Sequence, residues 1–165
     1  MELQHSWNAW FDHAQPGRSA EDYCDSLSKI CSITTIQDFW GCFNNLPALQ
    51  TLPLKSGVHF MKRGVKPLWE DLTNRRGGIW HFRLKKEDGA YCWREFLVAV
   101  LSDDYFDKVG NEITGLSLTN RSGEYLIQIW TPDDKMSQGL LNYFEGIVPS
   151  VSFSSTPVFK TCSSL

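Results

Sequence analysis

Apolar and polar positions along the chain follow two periods, one of strands and one of helices. Trp7, Ala9 and Phe11 alternate with Asn8 and Asp12, which predicts a first strand over Ser6–Asp12. Trp10 breaks the alternation and implies that both faces of this strand are partly covered. From His13 to Ser28 the chain turns polar, with Pro16-Gly17 as a turn signal and a short helical piece over Ala20–Leu27. Long ordered loops in small domains are often binding loops, which makes Tyr23 notable. Ile30–Thr34 reads as a second strand. Thr35 and Asp38 have the form of a capping box, and Ile36, Phe39, Trp40 and Phe43 then fall at i, i+3, i+4 and i+7. A helix is expected there, ended by Asn44-Asn45-Leu46-Pro47.

The same reading predicts strands over Val58–Met61 and Ile79–Leu84, and a second helix over Ala90–Leu101 after a turn at Asp88-Gly89. Ile113–Thr119 and Tyr125–Thr131 form a hairpin across Asn120-Arg121-Ser122-Gly123. Asp134 or Ser137 caps a third helix running to about Ile147, and Val151–Lys160 supplies a last strand. Residues 154–165 are expected to be loosely held. Strands joined by hairpin-length links and interspersed with three helices predict an α+β fold. It consists of a single domain over 1–165, an antiparallel sheet with helices on one face and the other face free.

Composition sharpens this picture. A chain of 165 residues with 42% hydrophobic content fits one core, and 13% aromatic content leaves rings for a stacking site. A net charge of −3 provides no global basic field, so a nucleic acid would be read at a base or an end. The five cysteines show neither a C-x-x-C pair nor zinc spacing, and their odd number reads as reduced thiols in an intracellular compartment. No apolar run reaches membrane-spanning length and no signal pattern opens the chain, so no membrane role is expected. His5, His13, His59 and His81 form no metal or nucleophile pattern, and no carboxylate cluster suggests metal-assisted phosphoryl transfer. No enzyme, metal or cofactor is expected.

The most unusual stretch is Lys66 to Trp80, KPLWEDLTNRRGGIW. Pro67 stiffens the approach to Trp69, which Glu70 and Asp71 follow at once, before the link Asn74-Arg75-Arg76-Gly77-Gly78. Read alone, such a Trp is more often a core plug than a platform. An aromatic face beside an acceptor also suits a guanine, whose N1–H and exocyclic amine share one edge that a single carboxylate can read.

Together the Trp7-x-x-Trp10 pair, TIQDFW over Thr35–Trp40, PLWEDLTNRRGGIW over Pro67–Trp80, Trp93 and the Gly115–Trp130 hairpin resemble the family of eukaryotic translation initiation factor 4E, which binds the messenger-RNA cap. The start His5-Ser6-Trp7 and the stretches Asn44–Pro47 and Thr51–Leu54 are most similar to its divergent third class. The resemblance implies a curved antiparallel sheet with three helices on the convex side and the cap slot on the concave side. It implies that Trp69 stacks on 7-methylguanine, Glu70 reads the guanine edge, Tyr23 supplies the second ring, Trp130 packs near the added methyl and Arg121 contacts the triphosphate. Taken alone, Tyr23 also reads as an exposed loop residue, Trp130 as strand packing and Arg121 as a solvated turn residue.

Three basic positions of the family fall on Ile79, Gly123 and Leu126, leaving Arg75, Arg76 or Lys160 as substitutes. A cap binder weaker than the family norm, and less dependent on triphosphate length, is therefore expected. The resemblance also implies that Ile36 and Trp40, with Arg94, Glu95 and Val98, receive a helix of a 4G-type scaffold or a 4E-binding-protein-type partner. Arg94 would stand where an apolar groove usually has Leu. The implied protein is a monomer, cytoplasmic with a nuclear pool, acting in translation initiation or its regulation. The alternative is mainly a protein-interaction subunit or translational repressor with weak cap affinity.

Overall fold

The computed structural model describes residues 1–13, 19–110 and 112–165. Seven strands, β1 (Glu2–Asp12), β2 (Leu27–Thr35), β3 (Gly57–Lys62), β4 (Gly78–Lys85), β5 (Gly115–Arg121), β6 (Glu124–Thr131) and β7 (Val158–Thr161), form one curved sheet. Their order is β2-β1-β3-β5-β6-β4-β7, and every neighbouring pair is antiparallel. The helices are α1 (Ala20–Ser26), α2 (Ile36–Phe43), α3 (Gly89–Leu101), α4 (Asp104–Val109) and α5 (Gln138–Ile147).

Strand alternation sorts the side chains into two layers. Trp7, Ala9, Val58, Phe60, Leu116, Leu118, Ile127, Ile129, Trp80 and Phe82 point one way, into the main core. Phe39 of α2, Trp93, Phe96 and Val100 of α3, and Leu140 and Phe144 of α5 close over them. These are the three expected helices. On the opposite face Met61, Val65, Ile79, Trp130 and Cys162 form a smaller cluster that Trp10 joins. That cluster explains Trp10's break in the alternation: the residue has an apolar floor of its own.

The capping box forms at α2: Thr35 Oγ1 accepts from the Asp38 N–H at 3.0 Å, and Asp38 Oδ2 accepts from the Thr35 N–H at 2.9 Å. Asp38 accepts from the Thr34 N–H and hydroxyl as well, and these bonds, the Thr34 N–H first, pull its pKa down to about 2. Ser137, not Asp134, caps α5 through the Leu140 N–H.

Four expectations change. Strand β1 begins at Glu2, because pairing with β2 continues past the alternating stretch to set Glu2 opposite Thr35. Helix α4 is an addition, too short to show periodicity, entered through Asp103 at φ 58° and left through Gly110 at φ 77°. The last strand covers only Val158–Thr161, and it ties the expected loose end onto β4. Cys31 of β2 and Cys42 of α2 form a disulfide, so not all five thiols are reduced; Cys24, Cys92 and Cys162 are free. Spacing alone did not reveal that the return of α2 over β2 brings those two side chains together.

Candidate functional site

A cleft of about 510 Å³ opens on the face away from the main core, between α1, the 66–71 turn and the sheet. Tyr23, Trp69, Glu70 and Trp130 all line it.

The turn carrying Trp69 and Glu70 is built by its neighbours. Asp71 accepts from the Lys66 N–H at 3.2 Å and the Thr73 N–H at 3.0 Å. Asn74, fully buried, donates to the Lys66 and Leu68 carbonyls, each at 3.0 Å, and accepts from the Thr114 hydroxyl at 3.1 Å. The two adjacent acids therefore divide the work. Asp71 is consumed in holding the turn, whereas the exposed Glu70 carboxylate makes no hydrogen bond or ion pair among the described residues. Trp69 stays 45% exposed, a large ring held out from the core rather than a plug. Gly77 and Gly78 close the loop where a Cβ would collide with the Thr131 carbonyl and the Phe159 ring.

The opposite wall is Tyr23, on a seven-residue helix whose start is fixed by a Ser19–Asp22 capping box. Its hydroxyl donates to Asp12 Oδ2 at 2.9 Å. Asp12, 4% exposed at the end of β1, also accepts from the Gly57 N–H at 3.0 Å and meets His59 Nε2 at 2.7 Å. His59 Nδ1 lies 2.6 Å from Ser117 Oγ, which in turn accepts from Trp130 Nε1–H at 2.9 Å. The indole N–H can only donate, so the Ser117 oxygen accepts from it. The Asp12 carboxylate can only accept, so His59 Nε2–H donates to it. Burial works to raise the Asp12 pKa, but the bonds from His59, Tyr23 and Gly57 and the His59 charge outweigh it and hold the carboxylate below its ordinary value.

Sheet register makes this chain of contacts possible. Trp10, His59, Ser117, Gln128 and His81 are successive cross-strand partners on β1, β3, β5, β6 and β4. The row crosses the floor of the cleft, and its far end closes with Gln128 Nε2 at 3.1 Å from His81 Nε2. Burial, then the charge of Lys160, keeps the His81 pKa below the usual histidine value.

Trp130 is 5% exposed and belongs to the floor cluster as much as to the cleft. Arg121 shares the strand face of Thr119 but stands past the lining, exposed at the hairpin end beside the Ser122-Gly123 turn. Neither Arg75, Arg76 nor Lys160 lines the cleft, whereas Lys55 does. Lys55, at φ 67°, is anchored by its N–H on the Asn120 carbonyl at 2.6 Å. Sequence reasoning missed Asp12, His59, Ser117 and Lys55. Alternation had placed Asp12 opposite the apolar side of β1, but nothing local pairs it with His59, 47 residues away.

The helical face has a second cleft, of about 470 Å³, lined by Leu3, Ile36, Phe39, Trp40, Val98 and Leu101 among others. Phe39 plugs the core while Ile36, Trp40 and Val98 stay 36%, 37% and 38% exposed. Arg94 and Glu95 do not line it. Instead the Arg94 guanidinium lies 3.2 Å from Glu95 and about 6.0 Å over the Tyr91 ring, which corrects the expectation of an Arg within the apolar groove.

The profile of the eukaryotic initiation factor 4E family matches residues 2–152. The chain belongs to that family. It is 34% identical over 136 residues to eukaryotic translation initiation factor 4E of Candida albicans, an alignment covering 79% of this chain and 64% of that protein. It is 31% identical over 140 residues to the initiation factor NCBP of Triticum aestivum, covering 84% of this chain and 59% of that one. The chain thus spans about three fifths of the length of these relatives. Among solved structures, Ascaris suum eIF4E-3 in complex with an m2,2,7G cap superposes with a TM-score of 0.82 at 25% identity, covering 97% of this chain and 90% of that one. Membership of the 4E family gives the two clefts a common frame: one on the open sheet face, one on the helical face.

Proposed function

We propose that this chain binds the 7-methylguanosine 5′ cap of messenger RNA, in translation initiation or its regulation. The observation that carries the proposal is the convergence of Tyr23, Trp69, Glu70 and Trp130, from three separate segments, on one cleft. Methylation gives the base a positive charge, so it gains both stacking and cation–π attraction between the Trp69 and Tyr23 rings, about 1–3 kcal/mol per ring. The uncommitted Glu70 carboxylate accepts from N1–H and the exocyclic amine, and Trp130 faces the methyl. Lys55 supplies the cation nearest the base, with Arg121 farther along the same face for the phosphates. The cap held by the Ascaris suum relative supports this reading.

Binding is the whole of the proposed activity. The Asp12–His59–Ser117 chain has the residue types of a nucleophilic triad, but Ser117 is fully buried and its oxygen is taken by Trp130. On the helical face, Ile36, Trp40 and Val98 present an apolar strip for an amphipathic helix of a 4G-type scaffold or 4E-binding protein, with Arg94 and Glu95 at its margin. We place the protein in the cytoplasm as a monomer, where the Cys31–Cys42 bond would be open to reduction.

Retention on a 7-methyl-GTP resin tests the proposal. Glu70→Gln should abolish retention while leaving binding to a 4E-binding peptide intact. Retention of the variant equal to that of the unaltered protein would favour the interaction-subunit alternative.

A further inference from the structure

Tyr23 stands where the 4E-family pattern usually places Trp, and its hydroxyl is in use. We infer that Asp12 is a positioning residue which, braced by His59, sets the Tyr23 ring as the second wall of the slot. The inference rests on the cap-binding reading of the cleft.

Three observations converge on it. The ring sits on a seven-residue helix, and none of Glu21 to Ser26 is buried. The Tyr23 hydroxyl bond to Asp12 at 2.9 Å joins that helix to the sheet floor. Asp12 itself is fixed from three directions, by the backbone pairing of β1, the Gly57 N–H at 3.0 Å and His59 Nε2 at 2.7 Å. His59 is in turn oriented by Ser117 at 2.6 Å, and Ser117 by Trp130, a residue of the slot's own floor.

A continuous set of hydrogen bonds thus runs from the floor indole to the wall phenol. Its effect is preorganisation: the ring is held near the stacking position before the base arrives, so less ordering entropy opposes binding. A phenylalanine keeps the π-face but lacks the tether. An indole offers more ring but carries its N–H at a different place, so it too leaves Asp12 without this donor. Ring size and tether therefore make opposite predictions for two substitutions at one position.

The experiment is a fluorescence titration with 7-methyl-GTP and GTP on the full chain and on Tyr23→Phe, Tyr23→Trp, Asp12→Asn and the Tyr23→Phe/Asp12→Asn pair. Tyr23→Phe should weaken 7-methyl-GTP binding about three- to tenfold, as expected for one lost hydrogen bond. Asp12→Asn should weaken it similarly, and the pair no more than the worse single variant, because both remove the same tether. Tyr23→Trp should bind no more tightly than the unaltered protein. Unchanged affinity in Tyr23→Phe, additive losses in the pair, or a gain with Tyr23→Trp would each overturn the inference. Tyr23→Phe alters only a hydroxyl on a half-buried surface residue, so it remains decisive should Asp12→Asn fold poorly. Failure of the unaltered protein to prefer 7-methyl-GTP over GTP is a separate result, which would overturn the cap reading itself.

Discussion

The two walls of the cleft are built on different principles. Trp69 and Glu70 sit on a turn locked by local bonds: Asp71 and Asn74 are within eight residues of the carbonyls and N–H groups they hold. Tyr23 sits on a short helix joined to the sheet through a chain of distant partners, Asp12, His59 and Ser117. A wall made from a local segment is rigid and carries its own signature in sequence. A wall made from long-range contacts is as specific in geometry but depends on the whole sheet being in register.

The largest effect should come from the rigid wall. Trp69→Ala should weaken 7-methyl-GTP binding by about tenfold to more than a hundredfold, the worth of one stacked ring, measured by titration calorimetry. Melting temperature should barely move, since the ring is half exposed. A variant that binds as before would place the slot elsewhere.

Asn74→Ala should act through the fold of the same wall. It removes the side-chain donor from the Lys66 and Leu68 carbonyls, which keep only the Leu68 and Asp71 N–H groups, and the acceptor of the buried Thr114 hydroxyl. It should cost about 1–3 kcal/mol in urea unfolding, with cap binding falling alongside. Full stability with lost binding would contradict the account of a turn held by this side chain.

Acid should separate the walls. The folded pKa of Asp12 lies below its unfolded value of about 3.9. Its contribution is therefore complete above that value and is lost as pH falls through the folded value. Asp38, held at about 2 at the α2 cap, behaves the same way, so stability should decline between about pH 4 and 2. Asp12→Asn should flatten part of the decline seen by circular dichroism. An unchanged acid profile would mean that the buried carboxylate is not what acid disrupts.

The smallest effect concerns phosphate. Lys55→Ala should reduce the gain in affinity from 7-methyl-GMP to 7-methyl-GTP more than Arg121→Ala does, by about two- to fivefold at low salt. The reverse ranking would put the phosphates along the hairpin rather than beside the base.

The same division between local and distant contacts governs what was legible in the sequence. The strands with clean alternation, the Thr35–Asp38 cap and the apolar stripe of α2 depend on neighbours within a few residues, and each is found in the fold. The motif around Trp69 was readable for the same reason. Lys55 escaped notice because its position in the cleft follows from a left-handed backbone turn, not from any pattern. The Asp12–His59–Ser117 chain joins residues on three strands, and only register across β1, β3 and β5 brings them together. The Cys31–Cys42 pairing was hidden likewise by a helix folding back on its strand.

The most direct test of the central claim is a tryptophan-fluorescence titration of the unaltered protein with 7-methyl-GTP beside GTP. Two rings closing on a charged base should quench emission strongly with the methylated nucleotide and weakly, if at all, with GTP. Equal weak responses to both, or none, would contradict a charge-sensing aromatic slot and leave the helical face as the working surface of the molecule.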